Sequence, residues 1–343
     1  MKDSVENPNY YVTVRKYDSN GRNPIDYDVT PAVISIDFSH QEKELAVRAT
    51  IDFFDADVNG SKLSQLMDSR ATGYFFVMIT AKDGTKSEQV FQGTVWDISS
   101  KETLDDSAFT VKLYDCLIYL QESEDSEFFA AGMKTEDIVH KIGNRWSLTF
   151  HYDYRSITHE KLVMRGKISD FLLTDVLDQV KKSTGKKYVV LAEKSYARIR
   201  TVGQNDTIYT ISSKNNATEV RKYLTLNGAI TKVIVLGTEN DDAKTPVEAT
   251  VYGNTRKYGT LQSILSKDED TTLDKAKKEA QNIIADAEPS WEYDIKAPDI
   301  PWIKKGDLVK VKTTSLNGSY IVTSISREIN NRGKTMTLTV VKK

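Results

Sequence analysis

The residues of this sequence best suited to chemistry lie in a short acidic segment, where Asp55, Asp57 and Asn59 alternate and Gly60 follows. Side-chain oxygens at alternate positions, with glycine at the sixth, open a calcium-binding loop. The twelfth position of such a loop needs a bidentate glutamate, and here it is Leu66. The segment also follows a predicted strand instead of a helix. We therefore predict a solvated turn of ordinary turn-forming residues, with Asp55, Asp57 and Asn59 kept as weak metal candidates.

Two histidines and two carboxylates form a second group of possible ligands, namely His151, Asp153, His159 and Glu160. Imidazole and carboxylate are usual ligands of zinc. The spacing fits neither HExxH nor another short zinc motif. A polar loop between strands is the favoured interpretation, and the sequence predicts no resident metal and no cofactor.

A third segment, Ser183 to Lys186, resembles the end of a phosphate-binding loop. The glycine that should stand five positions before the Gly-Lys pair is replaced by Val180. The order of strand and helix around the segment is also reversed. Gly185 is therefore predicted to end a helix, and nucleotide binding is not indicated.

The single cysteine, Cys116, lies in the apolar run LYDCLIYL, which predicts a buried, inert thiol and excludes an intramolecular disulfide. No GxSxG motif, no Cys and His pair with an orienting group and no glycine-rich phosphate cradle is present. These absences together favour a protein that is not an enzyme. A cell-wall hydrolase with two catalytic carboxylates stays open as an alternative, as does a carbohydrate-binding β protein.

The composition is that of a soluble globular protein, since 39% of the residues are hydrophobic and 28% are charged. A chain of 343 residues is long enough for two to four compact units. A net charge of −2 points to no polyanionic partner such as nucleic acid. Because neither a long apolar run nor a signal peptide is visible, we expect synthesis in the bacterial cytoplasm without a membrane anchor.

Alternating apolar and polar residues predict strands in the first 115 residues, at Tyr10 to Tyr17, Ala32 to Phe38 and Leu45 to Phe53. A turn at Asp83 and Gly84 predicts a hairpin between two further strands. The last 45 residues return to strands, separated by predicted turns at Lys305–Asp307, Asn317–Gly318 and Asn331–Gly333.

The middle of the chain changes to helical periodicity, and three helices are predicted there. Thr135 is the predicted N-cap of the first helix, and Ser169 that of the second, which ends at Gly185. The third helix runs from Leu273 to Ala287. Two strands, KYVVLAE and SYARIRTVG, follow the second helix, whereas residues 238–249 are predicted to form a mobile loop.

This pattern predicts a β-rich α+β protein with a small antiparallel β-barrel module at each end and an α+β insert between them. Four domains are expected. They are an N-terminal β-barrel domain over 1–122, an α+β insert over 123–202, a middle β segment over 203–270, and a helix with a C-terminal β-barrel domain over 271–343.

Four segments carry a family resemblance that spans roughly residues 10 to 341. They are FTVKLYDCLIYLQES, MKTEDIVHKIGNRW, VYGNTRKYGTLQSILSKDED with the helix DKAKKEAQNIIADA, and KKGDLVKVKTTSLNGSYIVTSISREINNRGKTMTLTV. In order and spacing they resemble the tail hub proteins of PBSX-like prophages. Those proteins in turn resemble the baseplate hub and late-control D-type proteins of contractile phages.

Particular residues match elements of that family. The matching residues are Tyr258, Gly259 and Leu261 in a "kkYG.l" element, Gly306, Asp307, Val309 and Val311 at the entry to the last β domain, and Met336, Thr337 and Leu338 in the closing strand. The segment from 203 to 250 departs from the family pattern.

The resemblance implies a trimeric ring in which each chain offers two tail-tube-like β domains, so that three chains present six to a sixfold tube. The implied partners are two further copies of the chain, the tail tube protein, the central spike protein and other baseplate proteins. The implied location is the baseplate of a virion or of a phage tail-like particle, such as a tail-like bacteriocin. Phe128, Phe129 and Trp302 are then candidates for contacts between subunits.

Overall fold

The computed structural model describes residues 7–18, 21–68, 75–84, 86–102, 107–153, 155–214, 216–237, 245–267, 271–289 and 291–343. Most of the loop predicted over 238–249 falls at 238–244, outside the described residues. The chain divides into two compact units. The first comprises Met1–Arg221 with Tyr293–Lys343, and the second is Lys222–Glu292.

The first strands of the chain alternate buried and exposed residues, as the period of two in the sequence predicts. They are β1 (Asn9–Lys16), β2 (Ile25–Asp28), β3 (Val33–His40), β4 (Arg48–Phe54), β5 (Asp57–Val58), β6 (Ser61–Lys62), β7 (Phe75–Asp83), β8 (Lys86–Glu102) and β9 (Ser107–Tyr114). A short helix, Leu63–Met67, follows β6. The predicted hairpin is confirmed, because Asp83 pairs with Lys86 across the turn at Gly84.

The insert that follows mixes strands with helices. Its strands are β10 (Glu124–Phe129), β11 (Phe150–Asp153), β12 (Leu162–Lys167), β13 (Tyr188–Glu193) and β14 (Tyr196–Thr201). Its helices are Ile118–Glu122, Thr135–Arg145 and a continuous helical segment over Ile168–Asp170, Phe171–Val176 and Leu177–Thr184, of which the middle part is a π-helix. Their apolar faces form one core with Leu45 and Ala46 of the connection between β3 and β4.

Both N-caps predicted for the insert are wrong, and the reason is the same. Thr135 is the first helical residue, is fully buried, and donates its backbone N–H to the carbonyl of Ile157. Ser169 lies inside the first turn, because β12 runs directly into the helix and the N–H of Ile168 bonds to the carbonyl of Ser123. In each helix a tertiary contact thus satisfies one of the free N–H groups of the first turn, and the helix begins without a capping side chain.

The remaining strands are β15 (Thr210–Ser212), β16 (Glu219–Leu224), β17 (Lys232–Leu236), β18 (Val247–Tyr252), β19 (Gln262–Ser266), β20 (Trp291–Pro298), β21 (Leu308–Lys312), β22 (Asn317–Asn330) and β23 (Gly333–Lys342). The turn at Asn331–Gly333 is confirmed by the pairing of Asn330 with Gly333. The turn predicted at Asn317–Gly318 is wrong, since both residues lie in β22 and the chain turns earlier, between Thr313 and Leu316.

The first and last parts of the chain share one sheet. Its strand order is β16-β20-β23-β22-β3-β4-β9-β8-β7-β1-β2, with β21 and β15 joined beside β22. We call β1 to β9 the N-terminal β module and β15, β16 and β20 to β23 the C-terminal β module. The two modules meet where β22 pairs antiparallel with β3, from Ile325 opposite His40 to Asn330 opposite Ser35. This pairing, the seam, joins them over a common hydrophobic core.

The second unit is a three-stranded sheet, ordered β18-β17-β19, with a helix on one face. The helix, Leu273–Asp286, confirms the third predicted helix to within one residue at its end. The Thr272 side chain accepts a hydrogen bond from the backbone N–H of Lys275, which caps the helix. Ala276 and Ala280 pack on Val233 and Val235 of β17.

The two compact units divide the chain differently from the four predicted domains, whose limits stay a prediction. The strands β15 and β16, for example, come from the weakly patterned region and belong to the large sheet. None of the helices in the described ranges combines the length and apolar content that crossing a membrane requires.

Candidate assembly surfaces

The acidic side chains after β4 interact with residues of the same segment. The Asp55 carboxylate accepts hydrogen bonds from the backbone N–H of Ser64 at 2.9 Å and from its hydroxyl at 2.8 Å. Asp57 lies 3.4 Å from the ammonium of Lys62, and Asn59 adopts the left-handed conformation of a tight turn with φ of 49°. No group of three or more His, Cys, Asp or Glu side chains in the described ranges is arranged to hold a metal ion.

The second group of possible ligands does not come together. His159 is buried, with its ring nitrogens 2.8 Å from the Thr135 hydroxyl and 2.9 Å from the Gln179 side-chain oxygen, and burial lowers its pKa. His151 instead packs edge-on against the Tyr196 ring, 4.5 Å away. Asp153 faces Arg198 at 3.5 Å, and Glu160 is exposed.

Gly185 ends the helix Leu177–Thr184 in the left-handed conformation, with φ of 68°, which confirms its predicted role. Cys116 is partly buried and packs beside the core of the insert. Burial, followed by the charge of Asp115, raises the pKa of its thiol to about 12. A thiol with such a pKa is not a nucleophile near neutral pH.

The three interface candidates differ in how much surface they retain. Phe129 is 1% exposed and stacks on Phe171 in the core of the insert. Trp302 is 8% exposed, and the ammonium of Lys86 lies 4.0 Å from its ring centroid. Phe128 is 54% exposed, directly opposite the half-exposed Val163 on β12. Phe128 alone of the three has a large area left for another subunit.

One face of the large sheet is polar across the seam. The side chains that point away from the core on β3, β4, β22 and β23 are mostly polar. Examples are Asp37, Arg48, Glu328 and Thr337. They line an open concavity of about 490 Å³, to which Lys296 of β20 also contributes. An antiparallel sheet with one face in the core and the other in water has this alternation.

Beneath the seam lies a buried ionic cluster. The Arg327 guanidinium, on β22, donates to the Asp299 carboxylate at 2.9 Å and to the carbonyl oxygens of Ile300, Pro301 and Ile303. The Tyr10 hydroxyl, on β1, donates to the second oxygen of Asp299. Burial, followed by the charge of Asp299, raises the pKa of Tyr10 far above its usual range, so that it stays a donor. Both modules thus hold the same carboxylate.

A second cluster ties the connection between β3 and β4 to the rest of the first unit. The Lys305 ammonium donates to the carbonyl oxygens of Gln41 at 2.9 Å and Glu44 at 2.6 Å. The Gln121 side chain, from the insert, accepts from the N–H groups of Leu45 and Ala46. The connection therefore has its backbone groups satisfied by side chains from the C-terminal β module and from the insert.

The outer half of β8, Thr94–Glu102, forms one end of the polar face. Within the described ranges it is paired on one side only, with β9, because β7 ends its pairing at Gly93. Trp96 lies on this half, 49% exposed, with Tyr114 at 5.6 Å and Tyr119 at 6.4 Å between ring centroids. A backbone edge that has no partner among the described residues and lies beside exposed aromatic rings is suited to pairing with another chain.

The protein-family model described as YQBQ-like matches residues 77–341. The chain belongs to the YQBQ-like family. No curated protein sequence matches it.

Solved structures share the fold of this YQBQ-like protein over nearly its whole length. The 43 kDa tail protein of prophage MuSo2 from Shewanella oneidensis is 13% identical, with a TM-score of 0.66 over 97% of this chain and 98% of that one. The tail protein from Neisseria meningitidis MC58 is also 13% identical, with a TM-score of 0.64 over 96% of each chain.

A third solved structure extends the comparison beyond phages. The E. coli c3393 protein, a component of the type VI secretion system, is 9% identical, with a TM-score of 0.54 over 91% of this chain and 74% of that one. At these identities the likeness establishes the fold. The predicted β-rich fold class and the resemblance to prophage tail proteins are confirmed.

Sequence reasoning about this YQBQ-like protein missed the seam, the two buried clusters and the aromatic group at Trp96. Lys305 was predicted only as a turn residue, because a basic side chain beside a Gly-Asp turn carries no sign of burial. One signal was available at Arg327. It stands between Ile325 and Ile329 at inward-facing positions of an alternating strand, where a charge needs a buried partner.

Proposed function

We propose that this YQBQ-like protein is the structural, non-enzymatic hub of a contractile phage tail or tail-like particle, located in the baseplate. In this role it joins the sixfold tail tube on one side to the threefold central spike on the other. The observation that carries the proposal is the seam between β3 and β22. It makes two β modules of one chain into neighbours in a single continuous sheet.

The strand order supports an equivalence between the modules. On one side of the seam lie β22, β23, β20 and β16, and on the other lie β3, β4, β9 and β8, so four strands of each module share the polar face. Three copies of the chain would present six such modules to the tube. Binding of this kind depends on shape and area over a large contact and needs no reacting group.

The ends of this eight-stranded arrangement supply a means of closing the ring. One end is the outer half of β8 with Trp96, and the other is β16, the last strand in the sheet order. A contact between two different edges is heterologous, and a heterologous contact closes into a ring when its rotation fits. We propose that β8 of one copy pairs with β16 of the next.

Mass measurement of the purified full chain, alone and mixed with tube and spike proteins from the same particle, tests the proposal. The expected species has three times the chain mass of 38.7 kDa. Trp96→Glu should leave a folded monomer, whereas Tyr11→Glu, at an exposed aromatic residue of β1, a strand outside the proposed contact, should still form trimers.

Trimers that survive Trp96→Glu but not Phe128→Glu would move the contact to the insert. A chain that stays monomeric with every partner, or that cleaves peptidoglycan, would refute the hub. A charge at Trp302 would be uninformative, because that ring is buried and its replacement would disturb the fold first.

A further inference from the structure

The small sheet of the second unit has an uncovered face that is built like a buried one. Its central strand, β17, has Val233 and Val235 buried against the helix Leu273–Asp286. The alternate positions, which point to the other face, are also apolar, namely Ile234 and Leu236. A strand that is apolar on both faces is typical of a sheet covered on both sides.

The neighbouring strands extend this outer face. Ile264 of β19 lies beside Ile234, and Tyr252 of β18 lies beside Lys232. Ile264 is 60% exposed and Tyr252 is 65% exposed, which makes them the most exposed large hydrophobic residues of the described ranges. No described element of this unit lies against them, since its helix occupies the opposite face. Contiguous exposed apolar residues of this kind mark an interaction surface.

The size of the face selects the kind of partner. Three strands about 4.8 Å apart, with five residues at about 3.3 Å each, give a patch of roughly 15 by 16 Å. That is roughly 240 Å², which is only part of the ~800 Å² that each partner buries in a stable interface between two proteins, so this face has room for one secondary-structure element of a partner. One α-helix, about 10 Å wide, would cover it with about three turns. The helix Leu273–Asp286 already covers the opposite face of the same three strands in this way.

The charge of the face indicates which kind of helix would bind there. Of the outward positions 232, 234, 236, 247, 250, 252, 262, 264 and 266, only Lys232 is charged. Its ammonium lies 5.7 Å from the centroid of the Tyr252 ring, so the positive charge sits at the patch itself. A helix with acidic residues flanking its apolar stripe is complementary to this arrangement.

We propose that the outer face of this sheet docks an acidic amphipathic α-helix of about three turns, supplied by another protein. The apolar stripe of that helix packs on Ile234, Tyr252 and Ile264, and an acidic residue at one end of the stripe pairs with Lys232. This surface is separate from the seam and the edge at Trp96, so the inference does not depend on the hub proposal.

Two labelled 14-residue helical peptides serve as probes for the full chain, one built from Leu and Glu and the other from Leu and Lys. Fluorescence anisotropy should give a Kd for the Leu/Glu peptide at least tenfold below that for the Leu/Lys peptide. Ile264→Asp should abolish binding of the Leu/Glu peptide, and Lys232→Glu should reverse the preference. Val163→Asp, at a half-exposed apolar residue of the first unit, is the matched control and should bind normally.

An unchanged melting temperature for the variants shows that exposed positions were altered without loss of fold. Failure of both peptides to bind, or equal binding that Ile264→Asp does not weaken, overturns the proposal. Sedimentation velocity of the full chain tests whether a second copy covers the face instead. If the chain self-associates and Ile264→Asp alone prevents it, a second copy covers the face and the helix proposal is wrong.

Discussion

Replacing Arg327 by Met should destabilise the first unit severely. The substitution keeps most of the apolar side-chain stem and removes a guanidinium that is 5% exposed and bonded to Asp299 and three carbonyl oxygens. Asp299, itself 2% exposed, would keep only the Tyr10 hydroxyl as a side-chain donor. Breaking a buried pair in this way typically costs ~3–5 kcal/mol, because the remaining charge is buried without a partner.

Urea unfolding at pH 7 measures the effect. With a slope of about 3 kcal/mol per molar urea, a loss of ~4 kcal/mol lowers the midpoint by more than ~1 M. The matched control is Arg15→Met, which breaks an Arg–Asp pair of good geometry at 2.7 Å whose side chains are 37% and 46% exposed. An exposed pair contributes only ~0–1 kcal/mol, so its midpoint should scarcely move.

The double variant Arg327→Met with Asp299→Asn separates the lost pair from the lost carbonyl contacts. Removing the orphaned charge should recover at least ~1 kcal/mol relative to Arg327→Met alone. The reasoning fails if Arg327→Met lowers the urea midpoint no more than Arg15→Met does. It also fails if the effects of Arg327→Met and Asp299→Asn on the free energy of unfolding simply add in the double variant. Either result would mean that water or a shifted side chain satisfies the carboxylate at the seam.

Two further substitutions test the connection between β3 and β4. Lys305→Met removes the donor to the carbonyl oxygens of Gln41 and Glu44, so it should lower the free energy of unfolding by ~2–3 kcal/mol and speed the amide exchange of residues 41–46. The control is Lys304→Met, because Lys304 is one-third exposed and lies 3.7 Å from Glu193. This control should lower the free energy of unfolding by less than ~1 kcal/mol. A pH series compares the wild type with His40→Phe. Burial, followed by the charge of Lys305, lowers the pKa of His40 well below its ordinary value, so the unfolded chain binds a proton below pH ~6.5 that the folded chain does not. The wild type should therefore lose stability relative to His40→Phe by up to ~1.4 kcal/mol per pH unit as the pH falls from 6.5, until His40 titrates in the folded state, and a pH-independent difference in urea midpoints would contradict this.

The elements predicted best from the sequence are those whose signal is local. The helix Leu273–Asp286 has its cap, its apolar stripe and its terminating proline within 20 residues, and the hairpin around Gly84 has two alternating strands on either side of its turn. The predicted caps at Thr135 and Ser169 were wrong because the local pattern gives no sign that carbonyl groups distant in sequence accept hydrogen bonds from backbone N–H groups at these helix starts. β15 has only three residues and pairs with β21, about 100 residues later, so no periodicity could have revealed it.

The candidate surfaces were predicted less well, for a physical reason that the three aromatic candidates illustrate. An exposed Phe128 and a buried Phe129 are adjacent in β10, and only the pleat of a strand with one covered face decides which of them points outward. Trp302 and Trp96 are equally apolar in the sequence. Trp302 is enclosed by the core of the two modules, whereas Trp96 lies on the outer half of β8, beyond the last residue that pairs with β7, and only the pairing of distant strands decides this.

The ionic cluster under the seam gives that pairing its register. Along β22 the inward positions are Ile325, Arg327 and Ile329, and the residues between them, Ser326 and Glu328, face the polar side. A slip of two residues against β3 would keep the inward positions of β22 facing the core, but it would carry Arg327 about 7 Å along the strand, away from Asp299. A hydrophobic seam would tolerate such a slip far better, because one apolar side chain can replace another at modest cost. The proposed ring requires the two modules to be neighbours in one fixed register, and the single arrangement in which Arg327, Asp299 and Tyr10 meet favours one register over the others.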